Sequence, residues 1–475
     1  MVSLSELLDM SDVPAGLSVR GLNADSRAIG AGDVFFALPG TQADGLAYAR
    51  DAVGRGAVAV VAERDPGDLG VPVIVVPDVR AAYAKAAMRF AGPQPDFVVG
   101  VTGTNGKTSV TSFLRQIWTF AGFPAASLGT LGLMKGEVLV PGELTTPDPL
   151  TLAKTLAGLT AEGIAHVALE ASSHGIDQRR LDGVRFAAVA FTNLYRDHLD
   201  YHGTIEAYRE AKLRLFDTLI GPGTTAVINA DAEDGDAFMF AALDSGATIF
   251  TVGEAGAHIE VETITPEGLG QRVKGRLVGE PLDVFIPLVG RFQTSNALMA
   301  AGLAMATGVA PDVAMAALGQ LQGAKGRLEF AGSRAGGSVF IDYSHKPEAL
   351  KAVLETLRPA TSGRLIAVFG CGGDRDRGKR PIMGEIAAQL ADVAIVTDDN
   401  PRTEDAAAIR AEILAGAPGA IEIGDRAEAI AHAVAMMEDG DTVLVAGKGH
   451  EDYQIIGTTK HHFSDHEVVR AALGA

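Results

Sequence analysis

Several groups of side chains along this chain have the types and spacing to do chemistry. The first lies in VVGVTGTNGKTSVTSFLRQIW. A β-rich run ends at Thr102, the loop Gly103–Thr104–Asn105–Gly106–Lys107–Thr108 follows, and a helix carrying Phe113, Ile117 and Trp118 is expected next. Glycines let backbone N–H groups approach a phosphate, and a helix N-terminus adds positive potential. Lys107 can reach β- and γ-phosphates, and the Thr108 hydroxyl can ligate Mg²⁺. The general P-loop pattern has a glycine where Val101 stands, so the loop is a variant. The second group begins at Glu170, which ends HVALE and opens EASSHGIDQRR. A carboxylate at the end of a parallel strand lies where α/β proteins bind ligands. It can hold Mg²⁺ directly or through water. Downstream, FTNLYRDHLDYHGTIEAYREAKLRLF is dense in His and Asp. Alone it reads as a polar loop and then an amphipathic helix with Ile205, Tyr208 and Leu215 on one side.

The third group is C-terminal. GCGGDRDRGKRP gathers Arg375, Arg377, Lys379 and Arg380 after the run RLIAVFG. Such a loop either receives an anion or is solvated and paired internally with Asp374 and Asp376. DVAIVTDDNPR then sets Asp399, Asn400, Pro401 and Arg402 after another run. Proline fixes the turn, and arginine offers a planar fork to a carboxylate. DTVLVAGKGHEDY repeats the arrangement and ends on Glu451, which can receive an ammonium. Cationic forks and a carboxylate at the ends of neighbouring strands describe an amino-acid site.

Buried strands must position these loops. AVAVVAE, DFVVGVT, HVALEAS, AAVAFTN, RLIAVFG, DVAIVTD and DTVLVAG are short β-branched runs alternating with Ala/Leu-rich helical stretches. That pattern predicts an α/β chain built on parallel sheets. ATIFTV, HIEVETI and LDVFIPL, between 246 and 288, predict a small antiparallel patch. At 475 residues, about three domains are expected. The breaks fall at AGPQPD and near GAKGRLEF, giving 1–92, 93–325 and 326–475.

The composition, 47% hydrophobic and 21% charged, is that of a globular protein. Forty Lys and Arg against 59 Asp and Glu leave a net charge of −19. That excludes a broad nucleic-acid or anionic-membrane surface, though not small anions. A single cysteine, Cys371, excludes an intrachain disulfide and fits a reducing cytoplasm. The first residues carry Glu6 and Asp9 without a basic segment, so no signal peptide is expected. The uncharged stretch from Phe292 to Pro311 is Ala-rich and broken by polar residues, which predicts a buried helix and no membrane span.

The loop GTNGKTS resembles the ATP loop of the Mur ligases, the ATP-dependent amide-forming enzymes of peptidoglycan synthesis, to which folylpolyglutamate synthase is related. TNLYRDHLDYHG is similar to their central-domain signature. The resemblance implies a central P-loop-type ATP-binding domain, an N-terminal α/β domain for the uridine nucleotide and a C-terminal Rossmann-like domain for the amino acid. It implies that Gly103 to Ser109, Asn296, Arg327 and Asp342 serve ATP. Thr108, Glu170, His198 and Lys212, the last as a carbamate, would hold Mg²⁺, with Lys107, Glu170, His198 and Lys212 catalytic. DSR…GDVFFAL…DG implies that Ser26 and Thr41, Gln42 and Ala43 hold the UDP part. Thr145, Thr146, Ser172, Gln178 and Arg180 would contact the muramyl dipeptide. The family often has Asn where Leu144 stands.

DNPR resembles the motif by which the diaminopimelate-adding members hold the extra carboxylate of meso-diaminopimelate. This assigns Arg375, Asp399, Asn400, Pro401, Arg402, Gly447 and Glu451 to that amino acid. DYSHKP, GRLE and RFQTSNALMAA match family segments near ATP, with Lys346 where a small polar residue is usual. The implied enzyme is a cytoplasmic, monomeric ligase. It adds meso-2,6-diaminopimelate to UDP-N-acetylmuramoyl-L-alanyl-D-glutamate using ATP and Mg²⁺, through an acyl phosphate, and binds no nucleic acid. A lysine-adding ligase, a D-Ala-D-Ala-adding ligase, folylpolyglutamate synthase and a P-loop regulatory protein are the alternatives. ADP release that needs both co-substrates separates the last of these from the ligases.

Overall fold

The structure is a computed structural model that describes residues 2–474 apart from 15 and 41–43. Thr41, Gln42 and Ala43 therefore lie outside the described residues. The chain forms two compact units, Met1–Glu260 with Met299–Ala314, and Val261–Leu298 with Met315–Ala475. Both are built of α/β layers.

The first unit holds a four-stranded parallel sheet ordered Gly21–Asn23, Asp33–Phe36, Ala59–Ala62, Val73–Val75. Its residues alternate strictly. Val34 and Phe36 enter one core while Phe35 and Ala37 enter another, so both faces are covered. The larger sheet of this unit runs Ala125–Gly129, His166–Glu170, Phe97–Thr102, Phe186–Phe191, Thr225–Asn229, Thr248–Gly253, all parallel. The strand that leads into the phosphate loop is thus central, with later strands on both sides. Ligands bind at such a change of winding direction, outside the carboxyl ends of the strands.

Two strands depart from expectation. Thr248–Gly253, read as part of an antiparallel patch, pairs parallel to Thr225–Asn229, because the helix Gly235–Asp244 returns the chain across the sheet. Val252 and Gly253 pair parallel to Ile259 and Glu260 as well. An antiparallel hairpin at Gly132–Lys135 and Val138–Val140 joins the other edge through Ala125–Gly129. Its turn, at Gly136, was not foreseen.

The second unit carries the expected antiparallel element, Gly270–Leu277 paired with Glu280–Ile286. It also holds a six-stranded sheet ordered Glu329–Arg334, Gly337–Asp342, Thr442–Ala446, Leu365–Phe369, Val393–Val396, Ile421–Glu422. Only the first pair is antiparallel. Leu365, Ala367 and Phe369 enter one core, and Ile366 and Val368 the opposite one. The Ala-rich segment is a helix from Arg291 to Ala306, and a second helix starts at Pro311. No helix among the described residues is long and apolar enough to cross a membrane.

Candidate active site

In the first unit the site grows from the end of Phe97–Thr102. Glu170 pairs with Val101 and Phe191 with Thr102, so the three strand ends lie side by side. The loop turns at Gly103, with φ 146°. A Cβ there would stand 1.9 Å from Thr192 Oγ1, so only glycine fits. Backbone bonds lock the loop to the next strand end. Thr104 N–H donates to Asn193 O at 2.8 Å, and Asn105 N–H to Asn193 Oδ1 at 2.9 Å. Thr192 Oγ1 donates to Asn105 O at 2.6 Å. The helix Lys107–Phe120 then begins, with Thr108 and Ser109 buried in its first turn. Lys107 folds back over its own loop and donates to Gly103 O and Thr104 O at 2.8 and 2.9 Å.

Glu170 is buried, and its carboxylate accepts from Thr130 N–H at 2.9 Å and Thr130 Oγ1 at 3.0 Å. Thr130 was missed in the sequence. Its signal is a small polar residue just past the end of the neighbouring strand. Lys212, on the helix Ile205–Asp217, is 1% exposed and donates to Gly103 O at 2.9 Å. Burial, and next the Lys107 ammonium, hold its pKa well below the usual lysine range. The helix buries Tyr208 and Leu215 as expected, and Tyr208 Oη pairs with Thr104 Oγ1 at 3.1 Å. His198 sits at φ 52° and is half-exposed, its ring edge-on to His174 at 5.0 Å.

The residues expected to meet the muramyl dipeptide do gather. Thr146 Oγ1 bonds Glu170 O at 2.8 Å and Ser172 Oγ at 2.9 Å. Arg180 donates to Thr146 O and Gln178 Oε1, both at 2.7 Å. Thr145 Oγ1 meets Thr130 Oγ1 at 3.2 Å. Ser26 is buried in a short 3₁₀ turn capped by Asp25.

In the second unit a cavity of about 850 Å³ opens at the carboxyl ends of adjacent strands. Arg375, Asp399, Asn400, Arg402, Gly447 and Glu451 line it, together with Tyr343, His345, Lys346 and Lys379. Pro401 does not line it; its place is in the turn. Gly447 has φ 118°, and a Cβ there would come within 2.6 Å of the Asp399 carboxylate. Glu451 has its pKa raised by burial and by Asp399.

Arg402 adopts φ 51°, rare for a non-glycine residue. It is held there by the hairpin Tyr453–Ile456/Thr459–His462. Arg402 N–H donates to Ile455 O at 3.0 Å, and Gly457 N–H to Arg402 O at 2.7 Å. Its guanidinium donates to Gly373 O at 2.9 Å.

The cationic loop is less available than its sequence suggests. Arg380 is fully buried and takes Glu404 bidentately at 2.8 and 3.0 Å, and Glu412 at 2.9 Å. Arg377 also pairs with Glu412. Asp374 and Asp376, the expected internal partners, instead accept from Thr403 and from the Gly378 N–H. Of the four cations, Arg375 and Lys379 face the cavity. Elsewhere in this unit Asn296 Nδ2 reaches Gln293, whose Nε2 donates to Arg327 O at 2.9 Å. Asp342, buried and with its pKa raised by that burial, accepts from Leu328 and Ser344 N–H, both at 2.7 Å.

Family models for the Mur ligase middle domain, the Mur ligase glutamate ligase domain and the Mur ligase family catalytic domain match residues 101–304, 326–449 and 18–91. UDP-N-acetylmuramoyl-L-alanyl-D-glutamate–2,6-diaminopimelate ligase of Agrobacterium fabrum is 55% identical over 471 residues, covering 99% of this chain and 96% of its own length. The ligase of the same name from Brucella melitensis is 54% identical, covering 97% and 95%. A solved structure of a ligase of that name superposes with TM-score 0.77 at 34% identity, covering 100% of this chain and 99% of its own. The chain belongs to the Mur ligase family.

Proposed function

We propose that this protein is the ligase that adds meso-2,6-diaminopimelate to UDP-N-acetylmuramoyl-L-alanyl-D-glutamate in peptidoglycan precursor synthesis, acting in the cytoplasm. The observation that carries the reading is the single cavity into which Arg375, Asn400, Arg402 and Glu451 converge. A second carboxylate on the incoming amino acid gives Arg402 a partner. Lysine, lacking that group, offers the guanidinium no carboxylate. The three expected domains map onto three ligands: the uridine nucleotide, ATP and the amino acid.

In the reaction, the terminal carboxylate of the UDP-muramyl dipeptide attacks the γ-phosphorus of ATP. The bond to the β,γ-bridging oxygen breaks, and ADP leaves with an acyl phosphate remaining. The amine of diaminopimelate then attacks the acyl carbon, and phosphate departs as the amide forms and the amine loses a proton. Lys107 neutralises charge on the transferring phosphoryl group. Glu451 receives the substrate ammonium, and Arg402 and Arg375 take carboxylates.

Mg²⁺ fits the residues present. Glu170 is a buried carboxylate already oriented by Thr130, and Thr108 offers a hydroxyl in the helix's first turn. Among the described residues no three His, Cys, Asp or Glu side chains form a cage for a metal. That is expected of Mg²⁺, which takes one or two carboxylates and completes its shell with water and phosphate. Lys212, whose burial favours the uncharged amine that reacts, would add carbon dioxide to give a carbamate and a released proton, placing an anionic oxygen donor beside Gly103. When bound, Mg²⁺ supplies charge neutralisation on the phosphates.

The test is an amino-acid panel with the UDP-muramyl dipeptide and ATP. ADP release should require both co-substrates and favour meso-diaminopimelate over lysine. Equal ADP release without either co-substrate would overturn the ligase reading.

A further inference from the structure

Lys448 is fully buried and does not line the amino-acid cavity. A buried ammonium is costly unless it is paired. Lys448 Nζ donates to Asn400 Oδ1 at 2.9 Å and Tyr453 O at 2.8 Å, and lies 4.0 Å from Glu451 Oε2. The Ile455 N–H donates to the same Asn400 Oδ1 at 3.0 Å. An ammonium and a backbone N–H can only donate, so they must face the oxygen of the Asn400 amide. Its other end is thereby fixed, and Asn400 Nδ2 donates to Glu451 Oε2 at 3.1 Å.

Asn400 and Glu451 both line the cavity. A chain of hydrogen bonds therefore runs from a cation outside the cavity wall, through an amide in the wall, to the carboxylate that faces the ligand. We propose that Lys448 is a positioning residue for amine recognition: by fixing the Asn400 amide it holds the Glu451 carboxylate as an acceptor for the substrate ammonium. The proposal rests on the amino-acid reading of the cavity. Without Lys448 the amide oxygen keeps only the Ile455 N–H, so the amide is held less firmly and its Nδ2 fixes the Glu451 carboxylate less well.

Steady-state kinetics with all three substrates tests this. Wild-type selectivity in the amino-acid panel tests the reading of the cavity. The variants test the relay, with whichever amino acid the wild type uses. Lys448→Met keeps the stem and removes the charge. It should raise the KM for the amino acid by about tenfold, the loss expected for a broken buried hydrogen bond to a charged group. The KM values for ATP and the UDP-muramyl dipeptide should stay within about twofold, because neither ligand meets this relay. Lys448→Gln keeps a donor and should give a smaller rise. In an Asn400→Ala background, Lys448→Met should add nothing further, since the relay is already cut. An unchanged amino-acid KM in Lys448→Met, a rise in all three KM values alike, or a full additive effect on Asn400→Ala would each overturn the proposal. If Lys448→Met does not fold, Lys448→Gln carries the same cycle and the same criteria.

Discussion

Lys107 and Lys212 donate to one carbonyl, that of Gly103, at 2.8 and 2.9 Å. Two amines from different helices thus share one acceptor at the turn of the phosphate loop. In the proposed reaction Lys107 would leave that carbonyl to meet a phosphate, and the burial that lowers the Lys212 pKa would favour its carbamylation. Lys107→Ala should lower ADP formation on the order of 1,000-fold, as for other preorganised charge-stabilising groups. The check is single-turnover ADP release at saturating ATP.

Lys212 carries a separate expectation. Enzyme equilibrated with carbon-13 bicarbonate should show a carbamate resonance by NMR, and Lys212→Met should lack it. A wild-type spectrum without that resonance would remove the carbamate from the scheme.

Thr130→Val removes the hydroxyl that bonds Glu170 but leaves its N–H in place. Groups that orient a metal ligand commonly contribute about 10-fold or more to metal affinity. A Mg²⁺ titration of activity should therefore shift to higher concentration by about 10-fold. Glu170→Gln should shift it further.

Arg402→Lys retains the charge and loses the planar fork. The kcat/KM for meso-diaminopimelate should fall on the order of 100-fold, the cost of truncating one side of a hydrogen-bonded charge pair. ATP binding, measured by calorimetry, should be unchanged. Equal use of lysine and diaminopimelate by wild type and variant would remove Arg402 from selectivity.

Glu404 has its pKa lowered to about 2, chiefly by its bonds to the Arg380 guanidinium. Its folded value lies below the unfolded one, so its stabilisation is complete above the ordinary glutamate value of about 4.3. That contribution is lost as pH falls toward about 2. Glu404→Gln should melt at a lower temperature than wild type near neutral pH, and the gap should close on acidification. A pH series of thermal melts reads both.

Much of the scaffold was legible because it depends on local pattern. Each β-branched run quoted from the sequence became a strand buried on both faces, and Gly103 to Lys107 formed the expected turn into a helix. The grouping of Arg375, Asp399, Asn400, Arg402, Gly447 and Glu451 about one cavity was legible too, since these residues come from loops that directly follow such strands. What failed was long-range. Nothing near Thr248 reveals that its strand runs parallel to Thr225–Asn229, because direction is set by how the intervening helix packs. Arg377 and Arg380 looked available because their partners, Glu404 and Glu412, stand more than 20 residues further on. Lys448 stands between two glycines in the sequence; its burial and its grip on Asn400 exist only once the fold brings together loops from two strands that flank Leu365–Phe369.

The strained backbone of Arg402 has a consequence for redesign. Its left-handed conformation is enforced from a hairpin about 50 residues away, through Ile455 and Gly457. The aim of the guanidinium is thus a property of two chain segments, not of one side chain. Grafting DNPR alone into a lysine-using relative would import the charge without its direction. The Tyr453–His462 hairpin would have to travel with it, and a change in that hairpin's turn length should alter amino-acid choice while every side chain in the cavity stays the same.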